Sequence, residues 1–213
     1  MSKLLFNIDG INFDQIGIIV STVSGLVSLL EEKERLSSDD NQSHGKMYDM
    51  LSPIKYKEKE IVLNCYAKGK RLEVVRSISS IASIFKAPGT HRLTVYAENG
   101  VKLPYEVIRQ KSDDATPDFN TSKNLAKFSL HLIENCPVKR VLVSQGGVVT
   151  LDFVTDKMIT VSWGDGTYDR DLFGTVSLSK NIGAGNQILM IGDIEEINSF
   201  TYTNCKDQWD ILF

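Results

Sequence analysis

The residues with the clearest potential for chemistry lie at positions 163–167, which read WGDGT. An aspartate between two glycines fits three roles: a ligand in a cation-binding loop, a catalytic acid on a tight turn, or the bend of a hairpin. A Ca²⁺ ion takes about six to eight oxygen ligands, and Asp169 and Asp171 are the further carboxylates close by in the sequence. Flanking glycines favour the bend, because glycine adopts positive φ and Asp165 can bond the turn backbone. The predicted structural turn comprises Trp163, Gly164, Asp165, Gly166 and Thr167.

Other candidates for catalysis or ligand binding are weaker. The histidines His44, His91 and His131 are far apart, and none belongs to an H-E-x-x-H zinc motif. No serine lies in a G-x-S-x-G elbow. The cysteines form no C-x-x-C pair, which disfavours both a zinc site and a disulfide framework. We therefore predict no catalytic residue, no metal site and no cofactor, and we expect a protein that is not an enzyme.

The composition is typical of a folded soluble protein. The chain has 213 residues, of which 42% are hydrophobic and 24% charged, and its net charge is −3. A basic face, the usual mark of a nucleic-acid-binding domain, is not indicated. The longest apolar stretch, residues 16–30, is shorter than the roughly 20 residues that span a membrane. The N-terminus lacks the apolar run of a signal peptide, so we expect neither a signal peptide nor a membrane segment.

Short β-like runs dominate the pattern, with one helix among them. Residues 57–69 alternate, with Ile61, Leu63 and Cys65 on one side, which predicts a half-buried strand. Residues from about 71 to 86 carry an apolar stripe at helical spacing and end before Pro88, which predicts a helix flanking the sheet. The stripe comprises Val75, Ile78, Ile81, Ala82 and Phe85.

A long connection separates the second and third predicted strands. Leu26, Leu29, Leu30 and Lys33 have helical spacing, so a short helix is one possibility there. The polar stretch SSDDNQSHG that follows predicts a loop. Long connections with little regular structure are commonly functional or disordered.

A second unit is predicted after the pair Gly146 and Gly147, the best linker signal in the chain. Beyond it, short strands recur about every ten residues, the spacing of a small β-sandwich. We therefore predict a first domain at residues 1–143 and a second at residues 144–213. The expected fold class is mostly β (α+β): an antiparallel β-sandwich or half-barrel with one flanking helix, plus a small C-terminal β-sandwich.

Two families resemble parts of this chain. The stretch MITVSWGDGT, within residues 148–205, resembles PKD-like domains, whose W-G-D-G-T tract turns a strand at a corner. That resemblance implies an adhesive or spacer module. Residues 3–143 resemble phage distal tail and tail-tube-like proteins, especially those of prophages in Bacteroides-type bacteria. The resemblance rests on the succession FNIDGINFDQIGIIVSTVSGL, HGKMYDM, YKEKEIVLNCYAKG, FKAPGTHRLTVYAENGVKLPYEV and FSLHLIENCPVKRVL.

The second resemblance implies a structural protein of the virion, made in the bacterial cytoplasm. In that family a homohexameric ring continues the tail-tube lumen, strands join across subunits and a long loop reaches a neighbour. The loop corresponds here to about residues 23–53 and contains the candidate inter-subunit residues His44, Gly45, Tyr48 and Asp49. The implied partners are copies of the chain and other tail proteins, with DNA only as passing cargo.

Two other functions stay open at this point. One is a carbohydrate- or cell-surface-binding β module, for which Trp163, Tyr168 and Trp209 would form an aromatic platform. The other is a hydrolase that acts on the cell wall.

Overall fold

The protein is mostly β, with antiparallel sheets and one flanking α-helix, as the sequence predicts. The structure is a computed structural model, which describes residues 4–35, 37–38, 47–49, 51–97, 100–112, 116–118 and 125–212. The helix α1 spans Arg71–Ile84, and short 3-10 helices span Phe13–Ile16 and Ile194–Glu196. The described strands are β1 (Leu5–Ile8), β2 (Ile11–Asn12), β3 (Ile18–Ser24), β4 (Ser37–Ser38), β5 (Met47–Tyr48), β6 (Lys59–Lys68), β7 (His91–Tyr96), β8 (Lys102–Ser112), β9 (Thr116–Asp118), β10 (Leu125–Glu134), β11 (Lys139–Ser144), β12 (Gly147–Ser162), β13 (Tyr168–Ile182), β14 (Gln187–Gly192), β15 (Ile197–Thr203) and β16 (Cys205–Leu212).

The first sheet has the order β2-β1-β7-β8-β10-β6-β3, with β9 beside β10. Its end strands β2 and β3 are joined by residues 13–17. The six Cα–Cα steps from the end of β2 to the start of β3 span at most about 20 Å. In a flat sheet of seven strands at about 4.8 Å spacing, the two end strands would be about 29 Å apart. The sheet must therefore curve, and it forms the expected half-barrel around an apolar core. The alternation in β6 is confirmed, because Ile61, Leu63 and Cys65 lie in that core.

The helix α1 packs on this sheet by a face that shares part of the predicted stripe: Ile81 is buried, and Ile78 and Phe85 are partly buried against apolar clusters. Val74 and Ile81 are buried, whereas Val75 is 52% exposed. The central buried residue is Ser77, whose hydroxyl donates to the Glu73 carbonyl at 3.0 Å. A Cβ at Gly17 would lie 2.8 Å from that hydroxyl oxygen, so the 3-10 segment approaches closely and leaves room for a small side chain only.

The second sheet has the order β13-β12-β14-β11-β16, with β15 also on β12. The sequence pattern predicts short strands about ten residues apart, whereas the structure has the single long strand β12. A bulge between Thr155 and Ile159 bends β12, so its first half pairs with β15 and its second half with β14. This bend wraps the sheet around a separate core that includes Leu151, Phe153 and Trp163.

The chain crosses between the sheets at residues 135–138, earlier than predicted. The predicted boundary after residue 143 falls inside β11, which pairs with β14 and β16 of the second sheet. Gly146 and Gly147 have φ values of 95° and 90° and form the β11–β12 turn. Paired glycines mark a tight turn and a linker alike, which explains the shift.

Gly25, at the end of β3, has φ 84°, and a Cβ there would lie 2.0 Å from the Glu60 carbonyl oxygen. Gly10 has the same φ and nothing within 4 Å of a Cβ. We expect Gly25→Ala to lower the free energy of unfolding by about 1–3 kcal/mol more than Gly10→Ala does. Both substitutions place alanine at a strained positive φ, but only the one at Gly25 also brings a Cβ into collision with the backbone. Urea unfolding measures both losses, and equal losses would contradict this close packing.

Candidate functional site

The long connection between β3 and β6 is a two-stranded arm, here meaning the described residues from 25 to 58. The backbone N–H of Lys33 donates to the Lys55 carbonyl at 2.7 Å, and that of Lys57 to the Glu31 carbonyl at 2.8 Å. Further out, β4 pairs with β5. The short helix considered for this segment is wrong, since the chain is extended and laddered there. The arm is therefore ordered by cross-strand hydrogen bonds over its described length.

The base of the arm is fixed to the first sheet through one leucine. The side chain of Leu26 is buried in the first core. Its carbonyl oxygen accepts hydrogen bonds from the Lys59 Nζ and the Tyr105 hydroxyl, both at 2.9 Å. Both donors are themselves buried, which makes these bonds costly to break.

The arm carries the most exposed large apolar side chains in the described part of the chain. Leu29 is 101% exposed, Leu51 97% and Val27 89%. Tyr48 and Ile54 add further exposed apolar surface on the same arm. Large apolar side chains exposed to this degree are typical of interaction sites, because water is a poor solvent for apolar surface.

The four loop residues singled out from the sequence have different outcomes. His44 and Gly45 lie outside the described residues. Tyr48 lies in β5 with its side chain exposed. The Asp49 carboxylate accepts hydrogen bonds from the Ser52 hydroxyl and from the backbone N–H of Leu51 at 2.9 Å, and these bonds lower its pKa. Asp49 thus organises a local turn on the returning strand of the arm.

Residues 163–167 form a closed turn between β12 and β13. The Trp163 N–H donates to the Thr167 carbonyl at 3.0 Å, and the Asp165 carboxylate accepts the Thr167 N–H at 3.0 Å. Gly164 and Gly166 have positive φ. A Cβ at Gly164 would lie 2.3 Å from the Gln187 carbonyl oxygen, so the turn packs against the start of β14.

The electrostatics around Asp165 disfavour the cation and acid roles. Lys180 Nζ lies 3.0 Å from its carboxylate. Burial alone would raise the Asp165 pKa, but hydrogen bonds from Thr167 and Lys180 outweigh burial and lower it. Asp169, a possible second ligand, accepts the Trp163 indole N–H at 2.7 Å. Across the described ranges, no group of three or more His, Cys, Asp and Glu side chains is placed to hold a metal ion.

The aromatic platform proposed for sugar binding does not form. Trp163 is 1% exposed, so its ring packs in the second core. The Arg170 guanidinium lies 5.1 Å from the centroid of the Tyr168 ring, which puts a cation over one face of that ring. Trp209 lies on β16, away from the turn in the sheet order.

A buried polar junction between the two sheets was missed from the sequence. The buried Glu106 carboxylate on β8 accepts hydrogen bonds from Arg92, from the Ser162 hydroxyl at 2.8 Å and from the Tyr168 hydroxyl at 3.0 Å. Arg92 also donates to the Gln187 carbonyl at 3.0 Å. Side chains from β7 and β8 thereby meet β12, β13 and β14. The sequence around Glu106, PYEVIRQ, does not indicate these partners, because the alternation of apolar and polar residues predicts which side chains are exposed and not which residues they contact.

A second buried charged pair lies where the chain leaves the first sheet. Lys139 Nζ donates to Glu134 Oε1, and both side chains are buried. Burial raises the pKa of Glu134 and lowers the pKa of Lys139, while their mutual attraction opposes both shifts. Glu134 Oε2 has no hydrogen-bond partner among the described residues. Burying such a pair is expensive, so its value lies in fixing one arrangement of the segment 134–139.

One structural finding concerns the expectation that the chain has no membrane segment. Within the described ranges, the helices are too short or too polar to cross a bilayer.

The comparisons with known proteins give similarity of fold and none of sequence. No known protein family and no curated protein matches the chain. The fold is similar to that of the Dit protein of phage SPP1, described as a paradigm of the hub adsorption apparatus in phages that infect Gram-positive bacteria. That likeness has a TM-score of 0.51 at 15% identity and covers 97% of this chain and 85% of the SPP1 chain.

Chains of the phage p2 baseplate in its activated conformation give lower scores. The form with Ca has a TM-score of 0.49 at 9% identity, covering 99% of this chain and 92% of that chain. The form with Sr has a TM-score of 0.47 at 8% identity, covering 100% and 89%.

The junction predicts unequal effects for two substitutions. Glu106→Gln leaves Arg92 without its buried counter-charge, and we expect it to lower the free energy of unfolding by about 3 kcal/mol. Tyr168→Phe removes one hydrogen bond to the same carboxylate, and we expect a loss of about 1 kcal/mol. Urea unfolding followed by tryptophan fluorescence measures both, and a Glu106→Gln loss no greater than that of Tyr168→Phe would show that the ion pair is not structural.

Proposed function

We propose that this chain is a non-enzymatic structural component of a phage tail, a distal tail protein whose copies form a closed ring. The observation that carries the proposal is the fold likeness to SPP1 Dit, which extends over 97% of this chain and so includes both sheets. A likeness that extends over two sheets of different strand order, joined at residues 135–138, is stronger support than a likeness to a single β-sandwich, which is a common fold. The order of strands and helix in the first sheet, on which the sequence resemblance to distal tail proteins rests, supports the same proposal.

The arm supplies the contact that such a ring needs. A ring is built from heterologous contacts, in which one patch meets a different patch on the next copy and the rotation closes. Val27 and Leu29 on the outgoing strand of the arm and Leu51 on its returning strand offer exposed apolar side chains. Burying each such side chain against a neighbouring copy contributes about 1.5–3 kcal/mol to the free energy of association. The exposed side chains of the arm therefore favour contact with a partner.

The edges of the first sheet offer a second kind of contact. β3 is the last strand of that sheet, and its outer edge has no strand partner among the described residues. An open edge presents unpaired backbone groups that can pair with a strand of another chain. In the proposed ring, the β3 edge pairs with a neighbouring copy, and closure removes the open edge.

The remaining parts of the proposal concern the assembled tail. The ring continues the tail tube in the virion and binds other tail proteins, and DNA passes through it as cargo. A wall of mildly acidic overall charge, as the net charge of −3 suggests, would not hold DNA by counterion release. The two sheets act as separate domains that meet at residues 135–138, and the second serves as a PKD-like spacer on the ring.

The arm gives the proposal its direct mutational test. We expect the double variant Leu29→Asp/Leu51→Asp to weaken self-association by about 100-fold or more, because two exposed leucines lose their apolar contact. Light scattering coupled to size-exclusion chromatography, over a series of concentrations, measures the change. Val148→Asp is the matched control, since Val148 is also an exposed aliphatic residue but lies on the second sheet. An arm variant that assembles as readily as the control would refute the role of the arm.

A further inference from the structure

Lys55 forms ion pairs between the described part of the arm and the second sheet. Lys55 Nζ lies 2.8 Å from Asp193 Oδ1 and 3.4 Å from Glu196 Oε1. Lys55 belongs to the returning strand of the arm, where its carbonyl accepts the Lys33 N–H. Asp193 directly precedes the 3-10 helix after β14, and Glu196 is the last residue of that helix. An element that begins in the first sheet is thus tied to the second one.

A cleft lies beside this ion pair. Its volume is about 310 Å³. It is lined by Ile54 and Tyr56 of the arm, by Cys136 of the crossing segment and by Met158 of β12. The arm, the crossing segment and β12 thus border one cleft, and Lys55 and Asp193 of the ion pair also line it.

Lys55 stays charged in this position. Burial alone would lower its pKa, but the hydrogen bonds and charges of Asp193 and Glu196 outweigh burial and raise it. Two further ion pairs among the described residues, Lys57 with Glu31 and Arg35 with Glu32, join residues of the arm to each other. Those two pairs stiffen the arm but do not orient it.

We propose that Lys55, Asp193 and Glu196 are positioning residues through which the second sheet sets the direction of the arm, and so its capacity to reach a neighbouring copy. This inference rests on the proposed function, because the arm is the part that contacts the neighbour there. The second sheet then takes part in assembly, in addition to its proposed role as a spacer on the ring.

The physical reason lies in the geometry of the arm. A two-stranded ribbon is marginally stable by itself, and this one is fixed at its base by Leu26. With a single anchor it would sample many directions, and binding would have to restrict them. A second anchor at Lys55 restricts the arm before binding, and such preorganisation strengthens association without any new contact.

Charge reversal with rescue tests the inference. We expect Lys55→Glu to weaken self-association about tenfold, since two favourable charge contacts become repulsive. Adding Asp193→Lys restores a pair of opposite sign, and we expect Lys55→Glu/Asp193→Lys to recover to within about threefold of the parent protein. Lys57→Glu is the matched control, because it makes the same charge change on the same strand but meets Glu31 within the arm.

A native cysteine reports on the arm independently of assembly. Cys136 is exposed and lines the cleft, whereas Cys65 and Cys205 are buried. Cys136 is exposed as a residue, but partial burial of its thiol and the nearby Asp193 carboxylate raise the thiol pKa. Because Asp193→Lys also removes the carboxylate that raises the thiol pKa, alkylation rates are compared per thiolate, from their pH dependence. On that basis, a loosened arm should make alkylation of Cys136 several-fold faster in Lys55→Glu, and the double variant should return to the parent rate. The added negative charge by itself would slow the reaction, since the thiolate is the reacting form.

The outcomes separate this inference from the proposed function. A parent protein that stays monomeric would contradict the ring, while the alkylation rates would still decide whether Lys55 holds the arm. A parent that assembles, with Lys55→Glu matching Lys57→Glu in both assembly and alkylation, would overturn the inference. Asp193→Asn provides a second variant if Lys55→Glu is not folded, as judged by circular dichroism. Parental alkylation and assembly in that variant would equally overturn it.

Discussion

The buried carboxylate of Glu106 is the contact on which the relation between the two sheets depends. It accepts hydrogen bonds from Arg92 of its own sheet and from Ser162 and Tyr168 of the other. The apolar cores on either side are separate clusters. Apolar contact tolerates sliding, whereas a buried charge with its donors permits few arrangements. The two sheets are therefore held in a defined orientation by polar chemistry more than by a shared core.

That orientation explains how the arm is presented. The base of the arm is fixed to the first sheet at Leu26, and its returning strand meets the second sheet at Lys55. Only a fixed relation between the sheets lets both anchors hold at once. In the proposed ring, this fixed relation would hold the arm in the same direction in every copy. A ring needs this property, because every copy must offer the same patch at the same angle for the rotation to close.

Local patterns predicted the elements that local physics controls. The alternation around Leu63 identified β6, the apolar spacing up to Pro88 identified the helix, and the same patterns predicted the mostly-β fold. The long connection was predicted but its two-stranded structure was not, since the ladder depends on pairing between residues such as Glu31 and Lys57 that carry no periodic signal. The Gly146–Gly147 turn was interpreted as a linker, because glycine marks both. Glu106 was overlooked, since its partners lie far away in sequence.

Ring formation by the unmodified chain is the central claim, and electron microscopy of negatively stained, purified protein tests it most directly. Class averages at micromolar concentration should show closed rings with cyclic symmetry and a central opening, with the second sheet of each copy on the periphery. Particles of monomer size alone at every concentration, or open filaments in place of closed rings, would contradict the account.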